Sequence, residues 1–239
     1  MSGLPGAGLG NADLTVAAVD WSGAKRPKGI WLAVVRDGAL VESRSVATRE
    51  EAVAAVAALP APVAAGFDFS FSVPAWFAAE LGCASAPEVW ARAARDGDAW
   101  LAPTAPFWRD RCPLPPEQRF RRCEARFPTA KSVFQLVGNG QVGAGSVRGM
   151  PLLPSLRAAG FAIWPFDEPG DRVAFEIYPT ALRPLVTAPG PFSTHDERDA
   201  VLSALALWEH RAGLGRLRKT DDPVTLVEGD VWDPVSPSP

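Results

Sequence analysis

Apolar residues in this chain come first as short unbroken runs and later at helical spacing. Residues 14–25 (LTVAAVDWSGAK) open with six mostly apolar, β-favouring positions that stop on Asp20, followed by Trp21-Ser22-Gly23. An unpaired carboxylate at the end of a buried strand costs several kcal/mol or takes up a proton, so Asp20 is read as chemistry before packing. Residues 28–36 (KGIWLAVVR) and 39–46 (ALVESRSV) predict two strands joined at Asp37-Gly38, a tight-turn dipeptide, and complete a three-stranded antiparallel meander. Residues 48–59 (TREEAVAAVAAL) predict a helix. Thr48 and Glu51 make a capping box, Val53, Val56 and Ala57 recur at helical spacing, and Pro60 stops it. A second apolar run, residues 63–69 (VAAGFDF), carries Asp68 near its end, and residues 70–74 turn the chain into a helix over 75–81. A strand following a helix by a short link lies parallel to its neighbour through a right-handed crossover. This sets Asp68 beside Asp20 at the carboxyl edge of the sheet, where open α/β sheets bind ligands.

From 85 to 149 the pattern loosens into short helical pieces punctuated by Pro, Gly and Trp. Residues 138–149 (GNGQVGAGSVRG) have the glycine content of a phosphate-cradling loop but the spacing of neither common phosphate motif. Residues 150–160 predict a helix, 161–166 (FAIWPF) a strand, and 172–178 (RVAFEIY) a further strand with Glu176 near its end. The strongest helix signal is 193–212, with a Thr194/Glu197 capping box and a stripe of Ala200, Val201, Ala204, Leu205 and Trp208. Asp196 and Asp199 project from one side of its first turns, with His195 beside them. Residues 224–232 (VTLVEGDVW) predict a small hairpin or extended strand, and 234–239 a disordered tail.

The 239 residues, 47% hydrophobic and 21% charged, suffice for one α/β domain over 13–233 with an insertion at 83–150 and a flexible, glycine-rich tail at 1–12. A net charge of −3 gives no global attraction to nucleic acid, so a polyanion would need a local basic patch. Between Phe107 and Lys131 seven basic residues (Arg109, Arg111, Arg119, Arg121, Arg122, Arg126, Lys131) face three acidic ones. Cys83, Cys112 and Cys123 form no C-x-x-C pair, which argues for a reduced, cytoplasmic setting. No stretch approaches the roughly 20 apolar residues of a membrane span. Nothing in the sequence signals an oligomeric state.

Asp20, Asp68, Glu176 and Asp199 thus lie at three strand ends and one helix start, with Asp196 as a weaker alternative to Asp199. Hard divalent cations, Mg²⁺ or Mn²⁺, take oxygen ligands, and such a cluster suits one or two of them in phosphodiester cleavage. Each acid singly has an ordinary reading as well: turn aspartates close strands, and the helix macrodipole favours acids in a first turn. Ser22 and Lys25 after Asp20, and Arg119, Arg121, Arg122 and Lys131 in the insertion, are the expected phosphate contacts, although an arginine run also serves as a solvated, ion-paired face.

AVDWSGAK (18–25), GFDFSFSVP (66–74), VFQLVGNGQVGAGS (133–146), FEIYPTAL (175–182) and HDERDAVLSALAL (195–207) together resemble the family called domain of unknown function 429, over roughly residues 14–232. The resemblance implies a ribonuclease H-like α/β fold: a mixed five-stranded sheet, antiparallel meander plus parallel strands, flanked by helices. It also implies a predicted nuclease, with Asp20 on the first strand, Asp68 on the fourth, Glu176 as the strand-end glutamate and Asp199 as the helical acid. Two other classes stay open: nucleotide binding or phosphotransfer of the actin-like ATPase type, in which residues 20–23 would meet phosphate, and a non-catalytic interaction module.

Overall fold

The computed structural model describes residues 9, 13–102, 104–138, 142–187 and 190–235. Its strands are β1 (Thr15–Asp20), β2 (Ile30–Arg36), β3 (Ala39–Val46), β4 (Val63–Phe67), β5 (Ala162–Ile163) and β6 (Arg172–Glu176). Its α-helices are α1 (Arg49–Ala57), α2 (Ala75–Glu80), α3 (Ala86–Trp100), α4 (Val142–Gly149), α5 (Leu153–Ala158), α6 (Pro179–Leu182), α7 (His195–Glu209), α8 (Arg211–Leu214) and α9 (Thr225–Glu228). The strands form one sheet in the order β3-β2-β1-β4-β6-β5. The first three pair antiparallel, while β4, β6 and β5 join β1 in parallel, so the fold is a ribonuclease H-like mixed sheet flanked by helices.

It has one strand more than the five that the resemblance implies. The extra one is two residues long and sits on the edge beside β6; it is the expected strand 161–166, cut short where Pro165 has no N–H to give to a ladder. Elsewhere local chemistry built the predicted elements. Asp37 and Gly38 both take positive φ, 53° and 76°, in the tight turn between β2 and β3. Thr48 and Thr194 accept from the N–H of Glu51 and Glu197, and each glutamate reaches back one residue further than the simple box, to the N–H of Ala47 and Ser193.

Residues alternate across the sheet, and each face has its own core. One face buries Val19, Leu32, Ala65 and Phe67 with Val56 of α1, Trp90 of α3 and Leu156 of α5. The other buries Val16, Ala18, Ala33 and Ala64 under Ala200, Ala204, Leu207 and Trp208 of α7. Period-2 alternation therefore decides which layer any strand residue faces.

Two predicted segments differ. Residues 85–149 hold α3, a fifteen-residue helix, in place of short pieces only. Residues 224–232 form the short helix α9 followed by Val231, which bridges in parallel to Glu176, in place of a hairpin. Residues 1–8, 10–12 and 236–239 of the expected tails lie outside the described residues; Leu9 is buried in the α7 layer. Among the described residues no helix is long and apolar enough to cross a membrane.

Most of the glycine-rich run became α4, whose first turn rests directly on backbone: a Cβ on Gly143 would lie 2.5 Å from the Val133 carbonyl oxygen and 2.6 Å from that of Gln135. Neither oxygen can swing aside as a side chain would. Gly143→Ala is therefore expected to cost about 1–3 kcal/mol, read as a lowered urea midpoint; an unchanged midpoint would show that α4 is not seated there.

Candidate active site

Asp20 ends β1, and the parallel register of β1 with β4 pairs Val19 with Phe67, so Asp20 and Asp68 stand level on neighbouring strands. The Asp68 N–H continues the ladder to the Val19 carbonyl at 3.0 Å. Both side chains lie on the α7 face. The Thr194 cap starts α7 over the same sheet edge, and its first two turns bring Asp196 and Asp199 to the cleft. Gly29 leaves room for one of them: a Cβ there would fall 2.0 Å from Asp196 Oδ2.

These four acids line one cleft of about 820 Å³ together with Ser22, Lys28, Lys131, Tyr178, Arg183, His195 and Arg198. A separate cavity of about 400 Å³ beside Trp164, Arg216 and Trp232 gathers no strand-end acid. Asp20 and Asp68 are half-buried, and among the described residues neither carboxylate accepts a hydrogen bond. Burial and then repulsion from Asp68, Asp196 and Asp199 hold the Asp20 carboxyl well above its ordinary range, against a pull from Arg183. Burial, followed by the charges of Asp199 and Glu176, pushes Asp68 up to about 7, again against Arg183. Asp196 is raised too, by burial and Asp199.

Among the described residues the counter-charge within the cleft is Arg183, just after α6. Its Nε donates to Asp199 Oδ1 at 2.7 Å and its Nη2 to Asp199 Oδ2, a two-pronged clamp that raises the guanidinium's own proton affinity. The sequence reading passed over Arg183. The available signal was electrostatic: four converging acids require a cation, and Arg183 is the first one after the Glu176 strand.

Glu176 does not join the cluster. It shares a row with Phe67 and Val19, so its side chain enters the opposite layer, one residue out of phase with Asp20 and Asp68. There Arg121 takes both its oxygens, Nη1 to Oε2 at 2.8 Å and Nη2 to Oε1 at 2.5 Å, and the Phe71 N–H adds a third bond at 3.0 Å. Arg121, expected to contact phosphate, is 1% exposed and also bonds Glu124, Ser70 and the Glu228 carbonyl. Its work is structural: it ties the insertion to the sheet.

The other expected phosphate contacts divide. Lys131 and Ser22 line the cleft. Arg122 pairs on the surface with Asp222, Arg119 donates to the Leu114 carbonyl, and Lys25 is exposed beside the cleft without lining it. In place of the arginine run, Lys28, Lys131 and Arg198 form an exposed cationic rim, and among the described residues none of the three is ion-paired. The cysteines are free thiols, and burial pushes Cys123 far up.

Among the described residues no three His, Cys, Asp or Glu side chains are disposed to close together round a metal ion. Asp199, the third acid in line after Asp20 and Asp68, is engaged by Arg183. No protein-family model, no curated protein and no solved structure matches the chain.

Proposed function

We propose that the protein is a metal-dependent phosphodiester hydrolase acting on nucleic acid or nucleotides in a reducing, cytoplasmic setting. The observation that carries this reading is the pair Asp20 and Asp68: level on adjacent strands, half-buried, free of hydrogen-bond donors among the described residues, and raised in pKa by burial and then by the acids around them. Two oxygen ligands with only Arg183, itself clamped on Asp199, to offset their charge fit a hard divalent cation, Mg²⁺ or Mn²⁺. Bound there, the ion would supply positive charge to the phosphoryl oxygens as the ester bond breaks.

The chain's own residues divide the remaining work. Asp20 and Asp68 would hold the ion, with Asp196 next in reach. Arg183 orients Asp199 and tempers the repulsion among the acids. Lys28, Lys131 and Arg198 attract and position the anionic substrate at the rim, which offsets the negative floor. Glu176 takes no part in the chemistry; it anchors the wall behind it. The resemblance to the domain of unknown function 429 family suggests the same chemistry, but no family model matches the chain, so the reading rests on the site alone. ATP-dependent thermal stabilisation with no hydrolysis of nucleic acid would favour the actin-like alternative instead.

Incubation of the protein with DNA, RNA, branched junctions and nucleotides in Mg²⁺ or Mn²⁺ tests this. One class should be hydrolysed, and Asp20→Asn should lower the rate by at least about two to three orders of magnitude, the loss typical of removing one charge-stabilising group from a reaction centre. Full activity in Asp20→Asn would reject the assignment.

A further inference from the structure

Two arginines outside the cleft converge on the loop that follows Asp20. Arg49, at the start of α1, is buried and donates from Nε and Nη2 to the Ser22 carbonyl at 3.0 and 2.7 Å, and from Nη2 to the Ala24 carbonyl. Arg148, near the end of α4, donates to the Gly23 carbonyl between them. Three successive carbonyls are thus all turned toward guanidinium groups. Trp21 fixes the start of the loop through its indole N–H to the Gly145 carbonyl, 3.1 Å.

The peptide bonds here are trans, and in a planar trans peptide the C=O of one residue and the N–H of the next point in opposite directions. With the carbonyls of Ser22, Gly23 and Ala24 facing the arginines, the N–H groups of Gly23, Ala24 and Lys25 face the other way. Residues 22–24 line the cleft, Lys25 follows just beyond them, and neither arginine lines it. The Ala24 N–H lies 3.4 Å from Ser22 Oγ, a weak contact; the other two N–H groups donate to no acceptor among the described residues. The arginines are equally telling: among the described residues neither has a carboxylate partner. Two like charges, one of them buried, are held side by side against backbone dipoles, with Glu50 and Asp98 acting on them only from beyond ion-pair distance, and each loses proton affinity to burial. Such an arrangement is costly unless an anion sits on the far side of the loop.

We propose that the N–H groups of Gly23, Ala24 and Lys25 cradle a phosphoryl oxygen of the substrate, and that Arg49 and Arg148 are positioning residues that hold the cradle open and charge it from behind. The proposal rests on the phosphodiester reading of the cleft for its substrate class, and it makes residues 22–25 a backbone site beside the acids. A phosphate could come from a free nucleotide or a strand, and the cradle reads only the oxygen chemistry common to both.

The test follows ¹⁵N–¹H resonances in Mg²⁺ as inorganic pyrophosphate, and separately a phosphorothioate-linked DNA hexamer, is added. Saturable shifts at Gly23, Ala24 and Lys25 are expected with pyrophosphate. Shifts with the hexamer as well would assign the site to strands, and shifts with pyrophosphate alone to nucleotides. Arg148→Gln should weaken binding about tenfold or more and raise KM more than it lowers kcat, with the unfolding midpoint unchanged and partial recovery in Arg148→Lys. Shifts confined to Lys28, Lys131 and Arg198, or wild-type affinity in Arg148→Gln, would overturn the cradle. Shifts at residues 23–25 in a protein that hydrolyses nothing would leave the cradle standing and remove the hydrolase reading.

Discussion

Arg121→Met is expected to unfold at a markedly lower urea concentration than the parent, with a loss of about 3–5 kcal/mol, whereas Arg122→Ala, one residue along, should stay within about 0.5 kcal/mol. The contrast follows from where the two guanidinium groups end. Arg122 pairs with Asp222 on the surface, where side-chain entropy and solvent cancel most of the attraction. Arg121 is enclosed, and its removal strands the Glu176 and Glu124 carboxylates in a layer that offers little else to neutralise them.

The loss should be mostly the penalty of the stranded charges and only slightly the value of the pairs themselves. Adding Glu124→Leu and Glu176→Met to Arg121→Met should therefore return much of the stability, since a buried ion cluster replaced as a whole by apolar groups of similar size is often neutral. A triple variant as unstable as the single one would show that Arg121 acts through its hydrogen bonds to Ser70 and the Glu228 carbonyl instead. Against a typical total of about 5–15 kcal/mol, the single substitution alone removes a large share of what keeps the insertion on the sheet.

The same arginine shows what sequence can and cannot reveal. The run RFRRCEAR (119–126) looks like one basic surface because composition does not say which side chain turns inward. Local signals were legible: the apolar run ending at Asp20, the Asp37-Gly38 turn, and the two threonine caps act within a few residues and set structure there. Helix α3 was hidden by apparent breakers, yet Pro87 sits in its first turn, where its missing N–H is harmless, and Gly97 faces Val147, where a Cβ would come within 3.1 Å. The convergence of Asp20 and Asp68 could be anticipated because both end strands that a crossover makes parallel neighbours. The departure of Glu176 could not, because a single step of register changes the face and register is fixed by pairing across the sheet. Arg49 and Arg148 were equally invisible, since each acts on residues far away in the chain, and Arg183 could be traced only through the charge balance of the acids.

Asp68→Asn is expected to make the metal-free protein more stable at pH 8, and the direction follows from linkage. The folded state holds the Asp68 carboxyl at about 7, against an ordinary value of 3.8. Between those values the folded protein keeps a proton that the unfolded chain has released, so stability falls as pH rises, by up to about 1.4 kcal/mol per pH unit. Below 3.8 the contribution is complete, and above 7 it is gone. The amide in Asp68→Asn cannot ionise, so the variant's stability should decline less steeply across that window than the parent's, the raised Asp20 and Asp196 carboxyls accounting for what slope remains, and denaturation at pH 5 and pH 8 in chelator distinguishes the two. Mg²⁺ should reverse the order at pH 8: the parent gains by mass action on a site its carboxylates complete, while the variant gains much less. Parallel pH profiles for parent and variant would mean that Asp68 is not strained by its neighbours, and with that the basis for a cation at this edge would go. Acids that cost the empty fold stability and repay it only on binding are hard to explain as packing, which is why this position carries more weight than any motif around it.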